Sequence, residues 1–144
     1  MLMFKRLIIY YGLIAFMFCS PAFAAGEEHP IDRFERECIK KDWTTTGMAN
    51  CTYEALDKWD QEMNRYYSLL MELLDEEQQA VLKRSQEAWI KYRDAEFDNA
   101  SSVYVNEKGS MFINIIAADQ KAVVKRRALD LRRYYNILEE RHVK

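Results

Sequence analysis

Apolar side chains recur at four- and three-residue intervals along most of this chain, the spacing that one face of an α-helix requires. Ala49, Tyr53 and Leu56 begin the first stripe and Met63, Tyr67, Leu70 and Leu74 continue it, which predicts one long helix. Val81, Leu82, Ala88, Trp89, Tyr92 and Ala95 give a second helix its core face, running to about Ser101. Phe112, Ile116, Val123, Leu131, Tyr134 and Leu138 mark a third. No strand alternation persists anywhere, and 4 Gly and 2 Pro in 144 residues exclude collagen-like, linker-rich and turn-dense all-β chains.

The breaks fall where helix chemistry puts them. Ile31 to Trp43 reads as a short helix entered through Pro30, and Thr44 to Gly47 ends it. Asp75-Glu76-Glu77-Gln78 has the form of a capping box, so a tight helix-to-helix turn is expected there. Asn99 to Ser102 is turn-rich, and Val103 to Ser110, with Asn106 and Gly109, is the one substantial loop. The predicted fold is all-α: an antiparallel bundle of three long helices with a short N-terminal helix attached.

Residues 1–24 read as a secretory signal. Lys5 and Arg6 form its positive region, Leu7 to Phe18 its apolar stretch and Ala22-Phe23-Ala24 its cleavage site. Twelve apolar residues fall short of the about 20 needed to span a bilayer, so contact with the membrane is expected only through the cleaved signal. Cys19 follows Phe16-Met17-Phe18, whereas a lipid-attachment cysteine usually follows small residues, so simple cleavage is expected over lipidation. The remaining chain, residues 25–144, is then a single domain, periplasmic or secreted, with 19 basic against 23 acidic residues.

Loss of Cys19 leaves Cys38 and Cys51 in an oxidising compartment, where a bridge is expected; two buried free thiols are the alternative. No His or Cys stands at ligand spacing from either one, so a metal site is not expected. Other chemistry is equally sparse. There is no Gly-rich phosphate loop and no helical His pair, and His29 and His142 sit in terminal segments. Carboxylate pairs arise by chance among 23 acids, and none can be singled out. A non-enzymatic protein without a cofactor is therefore expected. Near-balanced charge, 21 basic against 23 acidic residues, gives no basis for gripping nucleic acid.

Charges also interrupt the stripes. The first passes through Asp60 and the third through Arg127, and charges at a core seam need partners. Folding the helices as hairpins about Asp75 and residue 106 predicts two polar layers, one of Asp60, Arg93 and Asp119 and one of Asn64, Gln86 and Arg127. Solvated faces are the alternative. Eight acids in Glu54–Glu77 and six bases in Lys121–Arg133 predict that the first and third long helices attract. Trp43, Trp59, Trp89 and the Tyr66-Tyr67 and Tyr134-Tyr135 doublets read mostly as core.

The run Cys38, Cys51, Asp60-x-x-Met63-Asn64-x-x-Tyr67, Gln86-x-x-Trp89-x-x-Tyr92-Arg93-Asp94 and Arg127-x-x-x-Leu131 resembles the lysozyme-inhibitor LprI-like N-terminal domain family. The resemblance spans about Cys38 to Arg133. It implies a small exported bacterial helical protein, the family being named for a lipoprotein that inhibits lysozyme. Members often carry a second cysteine pair, where this chain has Phe97 and about Ala118 or Asp119. Joint loss of that pair supports a Cys38–Cys51 bridge. Because the family motif coincides with the polar-layer residues, those residues and Trp89 are expected to specify the fold.

The resemblance implies a protein partner, lysozyme or another cell-wall hydrolase, met by a binding or inhibitor module without catalysis. The expected contact is the loop region of Asn99, Tyr104, Asn106 and Lys108, or the acidic face, against a cationic enzyme. The alternative is a structural or stress-linked envelope protein, for which exposed Leu69, Leu73 and Ile137 would speak.

Overall fold

A computed structural model describes residues 28–142; the expected signal segment, Cys19 and the expected cleavage site lie outside these. Four helices follow in order: α1 Pro30–Lys41, α2 Thr45–Leu73, α3 Glu76–Val103 and α4 Met111–His142. The all-α bundle with a short N-terminal helix is thus the fold. Each predicted boundary lies within a few residues of the observed one, except that α2 begins inside the stretch expected to break the chain.

Local chemistry explains the starts. Thr44 caps α2, its Oγ1 accepting from the Gly47 amide at 3.0 Å, while the Asp42 carboxylate accepts from both the Thr44 amide and its hydroxyl. Asp75 and Gln78 form the reciprocal capping box at the start of α3, with Glu76 and Glu77 in the first turn, where the helix dipole favours acids. His29 caps α1 through Nδ1, which accepts from the Ile31 amide at 3.3 Å.

The centre of the molecule is the α2–α4 interface. Trp59, Met63, Tyr66 and Leu70 of α2 pack against Val124, Ala128 and Leu131 of α4. Contacts run in step along the two chains, Thr45 with Ser110, Trp59 with Lys125 and Tyr66 with Tyr135, so α2 and α4 are parallel. Helix α3 returns between them in sequence and runs antiparallel to both.

Helix α1 lies antiparallel to α2. The Cys38–Cys51 disulfide joins them with Cα atoms 5.7 Å apart, and His29 packs its ring 4.3 Å from that of Trp59. No residue of α1 is fully buried, so the bridge and two ion pairs to α4 hold it. Lys121 reaches Glu35 at 2.6 Å and Lys125 reaches Asp32 at 2.7 Å. Two lysines of the basic run of α4 therefore pair with α1, while Arg132 acts on Glu62 in the acidic stretch of α2, in the sense that the charge asymmetry predicts. Helix α1 lies against both long helices and offers the nearer carboxylates.

The α2 seam keeps Ala49, Met63 and Leu70 of the predicted stripe but is shifted by one residue at the positions between them. Thr52, Trp59 and Tyr66 are buried, whereas Tyr53 is exposed and Asp60 and Tyr67 sit at the flank. Burying Trp59 removes more apolar surface from water than any neighbouring choice, and Ala49 and Ala55 leave room on that face for close approach. The predicted core face of α3 is corrected more strongly. Val81, Ala88, Tyr92 and Ala95 are exposed, Leu82 and Trp89 are only partly buried, and Gln86 is buried. Because α2 and α4 satisfy each other, α3 packs from outside.

Candidate functional site

The structure separates the predicted site residues into three places. In the first polar layer, Arg93 turns to its neighbour Asp94 at 2.7 Å, and Asp60 accepts from Asn64 one turn along α2 at 2.9 Å. Asp60 and Arg93 line one recess between α2 and α3 without bonding to each other, whereas Asp119 lies on the far side of α3, beside Glu96 and Asn99, so the three do not meet as one layer. The rotated α2 seam explains this, since it moves Asp60 out to where short local bonds compete successfully.

The second layer forms around different partners. Arg127 donates from Nε to Gln86 Oε1 at 2.9 Å and from Nη2 to Ser85 Oγ at 3.2 Å, while Gln86 Nε2 approaches Met63 Sδ at 3.5 Å. Asn64 takes no part in this cluster. Partial burial pulls the pKa of Arg127 below the ordinary arginine value, opposed by the nearby Tyr134 and Asp130. Trp89 lies one turn beyond Gln86, and the Arg93 guanidinium sits 5.5 Å from its ring.

The second place is the end of the bundle where α3 passes into α4. Tyr104 is anchored, its ring stacked 5.3 Å from that of Phe112, and Ser110 Oγ lies 3.4 Å from Thr45 Oγ1 at the start of α2. Between these anchors Val105, Asn106, Glu107, Lys108 and Gly109 are exposed, Val105 at 72%. Gly109 has φ 122°, a backbone region costly for residues with a Cβ, which lets the chain turn into α4. Asn99 lies more than a turn back on α3, apart from the loop tip.

That end also carries an indole expected in the core, that of Trp43. Trp43, at the α1–α2 turn beside Thr45, is 79% exposed, and Met111, next to Ser110, is 60% exposed. An indole in water on a turn fastened by caps is an unusual use of apolar surface and the residue type most often found at the centre of protein interfaces. The sequence signal is that Trp43 falls at the expected end of the first helix, outside the apolar stripes of the three long ones.

The third place is a groove along the outer α3–α4 junction. One recess of about 360 Å³ is lined by Trp89, Tyr92, Arg126 and Arg127, and a second of about 260 Å³ by Glu96, Asn99, Tyr104 and Asp119. Ala122 and Val123 line both, so the two are continuous. Among the described residues no group of three or more His, Cys, Asp or Glu is placed to hold a metal, and no helix is long and apolar enough to cross a membrane.

Residues 38–131 match the family model described as "Lysozyme inhibitor LprI". No curated protein matches the chain. Among solved structures, an uncharacterized protein from Burkholderia thailandensis is similar, with 26% sequence identity and a TM-score of 0.74. The similarity covers 80% of this chain and 58% of that one, so this chain spans little more than half the length of its structural relative.

Proposed function

The chain belongs to the LprI lysozyme-inhibitor family, and on that premise we propose that it is an exported, non-catalytic module that binds and inhibits lysozyme or another peptidoglycan hydrolase. The family match over residues 38–131 carries this reading. The family is one of inhibitors and not of enzymes, and its named activity points to a protein partner outside the cytoplasm. The disulfide agrees with export, because such bridges persist in oxidising compartments.

The contact surface in this reading is the bundle end carrying Trp43, Val105, Lys108 and Met111. Inhibition without chemistry requires a rigid body that occupies a cleft. The loop 104–110 is fastened at both ends and projects its tip. Trp43 and Val105 offer apolar area whose removal from water drives association. Clefts that cleave glycosidic bonds hold a pair of carboxylates, and Lys108 supplies a cation at the loop tip for such a pair. Asn106 and the buttress Tyr104 complete the predicted loop set.

The test is lysis of cell-wall substrate by vertebrate-type lysozyme with graded amounts of the oxidised protein beginning at Ala25. Stoichiometric inhibition that weakens in Trp43→Ala and Val105→Asp, with melting temperatures unchanged, supports both the activity and the surface. Absence of inhibition and of any complex at micromolar concentration removes the lysozyme assignment.

A second reading, a structural or stress-linked envelope protein, is favoured by the opposite end of the bundle. There Leu70, Leu74, Leu82, Tyr134, Ile137 and Leu138 line an almost wholly apolar recess of about 300 Å³, with Tyr134 and Ile137 exposed. Leu69 and Leu73 are half-buried. Assembly through that end would survive substitution of Trp43 and Val105, which separates the two readings.

A further inference from the structure

The α3–α4 groove carries opposite charges at its two ends, and among the described residues none of the four that define them is neutralised by an ion pair. At one end stand Arg126 and Arg127; Arg127 hydrogen-bonds only to the neutral Gln86 and Ser85. Asp130 lines the same recess and acts on Arg127, so two guanidinium groups stand there against one carboxylate and the net charge is positive. At the other end stand Glu96 and Asp119, neither with a cationic partner.

The floor between the poles is small and apolar. Ala122 and Val123 leave the backbone of α4 approachable, and the flanking Trp89, Tyr92 and Tyr104 rings offer flat walls. Asp119 and Arg126 are seven residues apart on one helix, a rise of about 10 Å. An extended peptide advances about 3.3 Å per residue, so about four residues bridge the poles.

We propose that this groove is a binding site for a short peptide carrying an ammonium group at the Glu96–Asp119 end and a carboxylate at the Arg126–Arg127 end. Charge complementarity fixes the occupant: a purely anionic ligand meets Glu96 and Asp119, a purely cationic one meets the two arginines, and an apolar one leaves both poles uncompensated. The half-buried guanidinium of Arg127 is the stronger attachment point, because it is already oriented by Gln86 and partly shielded from solvent. The site adjoins the loop end through Tyr104 but does not depend on hydrolase inhibition.

The probe is a tetrapeptide with blocked ends, lysine first, two alanines, then glutamate, titrated into the oxidised protein and followed by backbone amide NMR. Saturable shifts confined to α3 and α4 around residues 89–104 and 119–127 are expected. Arg126→Ala weakens binding about fivefold, the upper range for a partly exposed ion pair. Ala122→Phe, at an exposed position that leaves the core untouched, abolishes it by filling the floor. A peptide with glutamine at both ends binds at least as weakly as the Arg126→Ala combination. No saturable shift at millimolar probe, equal binding of the neutral peptide, or unchanged binding by both variants would each overturn the proposal.

Discussion

Arg127 of α4 donates its Nε–H to Gln86 Oε1 of α3 at 2.9 Å, and Gln86 is the only fully buried residue of that 28-residue helix among the described residues. A helix that buries so little depends on the bonds it makes. The Gln-x-x-Trp-x-x-Tyr-Arg-Asp segment thus contributes one inward amide, one half-buried ring, a partly buried Arg93 and two exposed groups, Tyr92 and Asp94.

Arg127→Leu leaves Gln86 Oε1 without its donor, and Gln86→Leu leaves a half-buried guanidinium with Ser85 alone. Each is expected to cost about 1–3 kcal/mol, and the double variant less than their sum, because the two groups share one bond. Urea unfolding followed by circular dichroism measures all three. A double variant that loses the full sum would mean that the pair is not coupled.

The Cys38–Cys51 bridge closes a loop with sequence separation 13, for which the chain-entropy account gives about 3 kcal/mol. Helix α1 has no fully buried residue, so the loss should be local as well as global. In Cys38→Ser/Cys51→Ser, amide exchange over residues 30–41 is expected to rise well before that of the α2–α4 core. Uniform acceleration across all helices would contradict the attached-helix description.

His29 supplies a pH dependence whose sign follows from its cap. Nδ1 accepts from the Ile31 amide and must be unprotonated to do so. Burial against Trp59 lowers the pKa below the ordinary 6.5, and Arg132 and Lys125 on α4 act in the same direction, opposed by Glu62 on α2 and Asp32 on α1. With the folded pKa lowered, the unfolded chain takes up the proton first, so stability present above about pH 6.5 falls as the pH drops towards 5. His29→Asn keeps a capping acceptor without a titration. Its melting temperature should vary less than that of the parent between pH 7 and 5.

Gly47 sits in the first turn of α2, where alanine would ordinarily be favoured by about 0.5–1 kcal/mol. Here an added Cβ would collide with the Asp42 carboxyl group, which holds Thr44 by two hydrogen bonds. Gly47→Ala is therefore expected to lower the melting temperature. In the Asp42→Ala background, with the obstacle gone, the same substitution should raise it. A stabilising Gly47→Ala in the parent would show that the Asp42 side chain swings clear without loss.

Much of this was legible in the chain itself. The capping box at Asp75 and Gln78 involves residues three apart, and local hydrogen bonding alone selects it. The Cys38–Cys51 pairing was legible on the expectation that Cys19 is removed with a signal, which leaves two cysteines to join. The Gln86–Arg127 contact followed from hairpin arithmetic, since antiparallel neighbours equidistant from a loop come level. The same arithmetic brought Asp60 and Asn64 of α2 to one recess with Gln86 and Arg93 of α3, but Asp60, Asn64 and Arg93 bond within their own helices, because a partner next in sequence or one turn away is available at no cost, and Asp119 lies elsewhere.

Sequence by itself determined the number, extent and order of the helices, because periodicity, caps and breakers act over a few residues. Only the tertiary structure decided which faces meet. A stripe read at four-three spacing can rotate by one residue at little local cost, and packing α2 directly on α4 chose Trp59 over Asp60. That choice left α3 outside, exposed Tyr92 on a groove wall, sent two lysines of α4 to the carboxylates of α1, and left Trp43 in water at the end where the loop 104–110 projects. Burial is a sum over the whole assembly, and no single segment contains it.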